Sequence, residues 1–235
     1  MKNIKTVLFD LDGTLLPMDA DRFTSIYFDE MGAHFKAHTH PDIVKKNIWQ
    51  ATKAMVMSTD KVSNEKVFWK AFKEITNNDP NFSEEHFEAF YETGYQKTKD
   101  ATSVSQAMIE AVRKLKEKNI EVVVATNPLF PRKAIHDRIQ WAGFEPSDFT
   151  YITSFEESNY CKPQIFFYQE LLEIMNRNPE ECLMVGNDCQ EDLIAGKLGI
   201  KTWLITDCII NREEGEPKAD YKGTAEDFLA FAEKM

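Results

Sequence analysis

Apolar residues gather in four short runs, and the first three break off at polar or acidic residues. Val7-Leu8-Phe9 stops at Asp10. Ile120-Glu121-Val122-Val123-Val124-Ala125 stops at Thr126-Asn127-Pro128. Glu181-Cys182-Leu183-Met184-Val185 stops at Gly186-Asn187-Asp188, and the fourth run is Lys201-Thr202-Trp203-Leu204-Ile205. Short, nearly continuous apolar runs predict strands buried on both faces of a parallel sheet. Between them lie helix-like stretches: Ser105 to Lys118, Pro131 to Trp141, Gln164 to Asn176 and Glu191 to Leu198. Pro131 suits a first helical turn, as does Pro163 for the helix after Lys162, while Gly143 and Gly199 suit helix ends. Strands alternating with helices predict an α/β fold, a parallel sheet flanked by helices on both faces.

One long stretch breaks the alternation. From about Pro17 to about Thr102 no strand pattern is visible. Helical patterns run instead over Arg22 to Phe35, Pro41 to Met57, Asn64 to Thr76 and Ser83 to Lys97. Phe68, Trp69, Phe72 and Ile75 recur at helical spacing, as do Phe87, Phe90 and Tyr91, the stripe expected of a helical bundle's core. A helical insert of about 85 residues is therefore predicted between the first and second strands. Arg212 to Lys218 reads as a polar loop.

Composition narrows the partners. The 235 residues are 43% hydrophobic, and the net charge of −11 makes nucleic acid a poor partner. A small anionic substrate stays open, because a bound cation can reverse the local field. The amino-terminal stretch Met1 to Thr6 and the apolar run after it, cut by Asp10 and Asp12, read as neither signal peptide nor membrane span. Cys161, Cys182, Cys189 and Cys208 contain no CxxC pair and suggest no disulfide framework, so a reduced, cytoplasmic protein is expected. Cys161 and Cys189 flank Lys162 and Asp188, where thiol sensitivity or plain filling are both open.

The candidate chemistry sits where the strands end, as ligands do in open parallel sheets. In Asp10-Leu11-Asp12-Gly13-Thr14, two close carboxylates suit a shared divalent cation such as Mg²⁺, or a split into nucleophile and acid/base. An Asp-Gly turn alone is the plain alternative. Gly186-Asn187-Asp188-Cys189-Gln190-Glu191-Asp192 supplies oxygen donors at a second strand tip; helix capping accounts for Glu191 and Asp192 but not for acidic clusters on two strands. So many carboxylates need positive partners, and Lys162 is the candidate beside Mg²⁺. Thr126 and Asn127 offer a hydroxyl and nearby N–H groups to phosphate oxygens. His34, His38 and His40 have a metal-like spacing, but no carboxylate or cysteine completes a site.

Together, in this order, these four elements resemble the haloacid dehalogenase superfamily of phosphohydrolases. The resemblance implies a Rossmann-like core over 1–16 and 104–235, with residues 17–103 as an α-helical cap domain. It implies Mg²⁺-dependent hydrolysis of a small phosphorylated metabolite by a monomer or homodimer, without nucleic acid or membrane. Asp10 would be the nucleophile and Asp12 the general acid/base, the latter contributing about 10²–10⁴-fold. Thr126, Asn127 and Lys162 would bind the phosphoryl group, with Lys162 also orienting Asp10. The metal would be held by Asp10, the carbonyl of Asp12, and Asn187 or Asp188, with Asp192 in support.

One position departs from the family pattern: Asn187 stands where Asp usually follows the Gly. Counted from Gly186, Asn187 takes the metal position; counted back from Asp192, Asp188 does. Both are expected to contribute, one directly and one through water. Asp12 argues against dehalogenase chemistry, whereas a sugar phosphomutase shares these motifs and is the alternative, with a non-catalytic binding protein behind it. The loop with Met18, Asp19 and Arg22 is expected near the opening of the cleft.

Overall fold

Six strands pair in parallel in the order β3-β2-β1-β4-β5-β6 in the computed structural model, which describes residues 3–235. Met1 and Lys2, part of the stretch read as carrying no signal peptide, lie outside the described residues. The strands are Thr6–Phe9 (β1), Glu121–Val124 (β2), Tyr151–Ile152 (β3), Cys182–Gly186 (β4), Lys201–Ile205 (β5) and Tyr221–Gly223 (β6). This order is the doubly wound arrangement, which leaves a crevice outside the carboxyl ends of the strands. Register levels those ends. Phe9 lies beside Val124 on one side and Val185 on the other, so the loops after β1, β2 and β4 emerge together.

Alternating side chains of each strand feed two cores. Val7, Phe9, Val122, Val124 and Val185 pack on one face, under Gln106–Glu117 (α5), Arg132–Trp141 (α6) and Ala225–Ala232 (α8). Leu8, Val123 and Met184 pack on the other, against Phe167, Tyr168 and Leu171 of Ile165–Met175 (α7). Residues between β1 and β2 supply the helices Ala20–Phe35, Pro41–Met57, Asn64–Ile75 and Glu84–Glu92. Taken in chain order before α5, these are α1 to α4. Their shared interior is the aromatic stripe: Phe72, buried, meets Phe68, Trp69, Phe82 and Phe87. The two ends of this helical stretch run side by side. Met18 bridges Thr102, and the Ser103 N–H donates to Pro17 O at 3.0 Å.

The four expected strands are present, and the structure adds β3, β6 and α8 together with short 3₁₀ turns. β3 and β6 are two and three residues long, too short to carry a period, and α8 follows them. The expected helix from Glu191 is a 3₁₀ helix over Leu193–Leu198, and the one expected to Lys97 stops at Glu92, before Gly94, and continues as 3₁₀ turns. Pro163 lies ahead of α7, whose cap residue is Gln164, and not in its first turn.

Where α1, α4 and the 3₁₀ segment Gly94–Ala101 meet, Tyr27, Tyr91 and Tyr95 are buried together, with the Tyr27 and Tyr91 hydroxyls 3.3 Å apart. Burial pushes Tyr27 up to about 12 and raises Tyr91 and Tyr95 as well. A raised folded-state value means the fold favours the neutral phenol. That contribution is complete below the free value of about 10 and is lost as pH climbs through the folded values. Absorbance near 295 nm at about pH 11 should therefore count fewer phenolates in native protein than in guanidinium-unfolded protein. Equal counts in a folded sample would contradict this packing.

Candidate active site

Lys162 is the centre of the site. Its Nζ donates to Asp10 Oδ1 at 2.9 Å and to Asp192 Oδ1 at 2.6 Å, and its side chain is 1% exposed. Burial opposes the ammonium charge, but Asp10 and then Asp192 overcome it and hold Lys162 well above its usual range. Burial likewise raises Asp10, opposed by Lys162 and aided by the charges of Asp192 and Asp12. The Lys162 backbone is fixed by Asn127: Oδ1 accepts from Lys162 N and Nδ2 donates to Lys162 O, both at 3.2 Å. Asn127 Nδ2 also donates to Glu191 at 3.0 Å. Both ends of the amide expected to meet phosphate thus brace the lysine and its surroundings.

Asp10 continues the β1 ladder, its N–H donating to Val185 O at 2.9 Å. The chain then folds back through Gly13, at φ +86°, where an added Cβ would lie 2.2 Å from Asn187 Nδ2. Only glycine allows that conformation together with that approach. The contact is completed by Thr14 Oγ1 donating to Asn187 Oδ1 at 3.1 Å, while Asn187 Nδ2 donates to Cys208 O at 2.7 Å. Asn187 therefore ties the β1 loop to the β4 loop. At Gly186 an added Cβ would strike Asp192 Oδ2 at 2.0 Å, so this glycine lets Asp192 reach Lys162. Asp188 N donates to the same Oδ2 at 2.9 Å. The Asp188 carboxylate accepts from the N–H groups of Gln190 and Glu191 and pairs with Arg212 at 2.7 Å.

Asp12 faces a different cation. Arg138 of α6, wholly buried, brings Nε to 3.1 Å from Asp12 Oδ1. The angle is too poor for a hydrogen bond, so the contact is chiefly one of charge. Burial raises the Asp12 carboxyl, with Arg138 and then Lys162 opposing. Arg138 Nη1 donates to Tyr95 OH at 2.8 Å, and its guanidinium lies 4.5 Å from the Phe130 ring centre.

Asp10, Asp12, Thr126, Asn127, Asn187 and Asp188 all line one cavity of about 780 Å³, whose far walls come from the helical insert. Lys162 and Asp192 do not line the cavity; Lys162 meets Asp10 from the side away from it. Hard oxygen donors from two strand tips converge there, the chemistry that suits Mg²⁺, which takes one or two carboxylates and keeps waters. Among the described residues no three His, Cys, Asp or Glu side chains form a ready-made metal cage.

A family model described as haloacid dehalogenase-like hydrolase matches residues 4–199. The chain belongs to this hydrolase family. It is 24% identical over 200 residues to the pyrophosphatase PpaX of Bacillus cereus (strain G9842), covering 85% of this chain and 82% of that one. Its fold is similar to a HAD phosphatase from Thermococcus onnurineus, at TM-score 0.63, 18% identity and 97% coverage of both chains. It is also similar to the HAD-hydrolase YfnB of Bacillus subtilis bound to magnesium, at TM-score 0.58, 16% identity, and coverage of 99% and 100%.

Within this hydrolase, most of the other sequence candidates fall outside the cleft. His34 Nε2 bonds to His86 O, and His40 caps α2, so the histidines serve packing and capping. Of the loop expected at the opening, Met18 lines the cavity, while Asp19 caps α1 by accepting from Arg22 N. Cys161 is buried and its thiol is pushed up to about 12, which suppresses the thiolate. Arg138 and Arg212 were not legible as site residues. Arg138 does fall on the buried α6 stripe with Ala134, Ile135 and Ile139, where an arginine is out of place unless it has a partner.

Removing the guanidinium leaves the Asp12 carboxylate without its nearest cation. Arg138→Met should destabilise the protein by about 2–3 kcal/mol, less than a fully buried pair because Asp12 is partly exposed. Adding Asp12→Asn should recover about 1 kcal/mol of that in a double-mutant cycle read by denaturant unfolding. Strict additivity would show that the two side chains do not interact.

Proposed function

We propose that this hydrolase cleaves a phosphate monoester of a small metabolite through an aspartyl-phosphate on Asp10. The observation that carries the reading is the placement of two carboxylates two residues apart, each facing its own buried cation. The Asp10 oxygen not engaged by Lys162 attacks phosphorus, and the bond to the leaving oxygen breaks. Asp12, raised by burial and so suited to hold a proton, donates it to that oxygen. Water then attacks the phosphoryl group, Asp12 takes its proton, and the bond to Asp10 breaks to release phosphate. The Thr126 hydroxyl binds a phosphoryl oxygen, and Lys162 orients Asp10 and offsets its charge. Mg²⁺, held by Asp10, Asp188 and the Asp12 carbonyl, with Asn187 supporting the loop, would supply further charge neutralisation.

Residues 1–16 and 104–235 act in this reading as the catalytic core, and 17–103 as a cap domain that shapes the leaving-group side. The family name also covers dehalogenation, so the assignment to phosphate esters rests on Asp12, for which a dehalogenase has no use.

Hydrolysis of an aryl phosphate with and without Mg²⁺ tests this. Asp10→Asn should lower turnover by about 10³-fold or more with the fold retained. Near-normal turnover would remove the mechanism. Asp188→Ala should raise the Mg²⁺ concentration for half-maximal rate by about tenfold or more. Asn187→Ala should instead lower thermal stability, because its amide bonds hold two loops together. The reverse pattern would make Asn187 the ligand.

A further inference from the structure

The cavity above Asp10 has a one-sided charge distribution. Under the phosphatase reading its floor takes the phosphoryl group, and the remaining space takes the leaving alcohol. On that side stand Glu65, Glu84, Glu88 and Glu156, set among the rings of Trp49, Trp69 and Phe87. Lys133 and Arg212 are the lining cations among the described residues, and both are committed to carboxylates: Lys133 to Asp137 at 3.2 Å and Glu92 at 3.5 Å, Arg212 to Asp188. Glu84 is bridged by Lys73 at 3.0 Å from outside the cavity, and Glu156 accepts from the Arg132 N–H. Glu65 and Glu88 have no ion-pair partner among the described residues. Burial, then the charges of Glu156 and Glu84, raises the Glu65 carboxyl against the opposing charge of Lys66, so both glutamates repel Glu65. A second phosphate or a carboxylate on the leaving group would find no free cation among the lining residues and would meet this field.

The rings complete the picture. Trp69 and Phe87 meet edge to face at 5.4 Å, and Trp49, 53% exposed, stacks on Phe28 at the cavity wall. Aromatic faces beside carboxylates attract an organic cation both through the ring quadrupole and by charge.

Resting on the phosphatase reading, we infer that the substrate is the phosphate ester of an apolar or aromatic alcohol that carries a positively charged amine. The acidic, aromatic insert would select the ammonium end while Asp10 meets the phosphoryl end. The cavity is of the size that holds metabolites of this class.

Three aryl phosphates with the same phosphate-bearing ring test this: the para substituent is 2-aminoethyl, ethyl or carboxymethyl. With Mg²⁺ present, kcat/KM should fall in the order ammonium, neutral, carboxylate, with about tenfold or more between the extremes. Most of that difference should lie in KM and should shrink as salt rises. The double variant E65Q/E88Q should cut the ammonium-to-carboxylate ratio at least threefold. Quenching of tryptophan fluorescence by the free alcohols should follow the same order, since two of the four tryptophans line the cavity. Equal or reversed preference, in turnover or in binding, overturns the inference and leaves the hydrolase standing. Turnover of none of the three esters, with the binding order intact, overturns the phosphatase reading instead.

Discussion

Everything at the carboxyl edge of the sheet is arranged around one buried ammonium. Removing Lys162 from water costs several kcal/mol, and the cost is offset only if carboxylates and hydrogen bonds meet it at close range. Asp10 comes from the tip of β1 and Asp192 from the segment after β4, so the ion pair requires those strands to be adjacent and in register. Gly186 must lack a side chain for Asp192 to reach Lys162, and Asn127, from the loop after β2, must hold the lysine's backbone. Three strand ends are thus locked by one cation, and the same lock leaves an Asp10 oxygen free toward the cavity. Stability and site geometry share this interaction.

The surrounding carboxylates show why a cation must be the organiser. Asp10, Asp12, Asp188 and Glu191 line one cavity, and Asp192 stands behind it. Burial raises Asp10, Asp12 and Glu191, and neighbouring carboxylates add to the rise at Asp10 and Glu191. Lys162, Arg138 and Arg212 each answer one part of that charge. Asp188 is answered by an exposed arginine from a polar loop, and Asp10 by a lysine with no access to water.

The sheet and the motif residues were legible because both depend on local pattern. A buried strand must be apolar along its length, and its first polar residue marks the tip, so Asp10, Thr126 and Asn187 announced themselves together. The helical insert was legible for the same reason, its aromatic stripe at helical spacing. What escaped has no local signature. β3 and β6 gain their strand geometry from neighbours and not from periodicity. Arg212 sits in a loop whose path the sequence does not dictate. Asn127 and Asn187 were read as ligands by position, yet an amide has a donor and an acceptor at opposite ends, and in both residues the two ends brace backbone or side chains of other loops.

Arg138 belongs with these omissions, and it distinguishes Asp12 from Asp10. The cation serving Asp10 is held wholly by the core: Lys162 rests on Asn127 and Asp192. The cation serving Asp12 is held by both halves of the chain. Arg138 rises from α6, but its Nη1 is anchored on Tyr95, and Phe23 of α1 lies 5.9 Å from its guanidinium. Tyr95 and Phe23 belong to the helical insert. A displacement of the insert therefore reaches Asp12 through Tyr95 and Arg138, while the Lys162–Asp10 pair has no insert residue among its hydrogen-bond partners. Under the proposed mechanism, the insert that would contact the leaving group also braces the proposed acid/base.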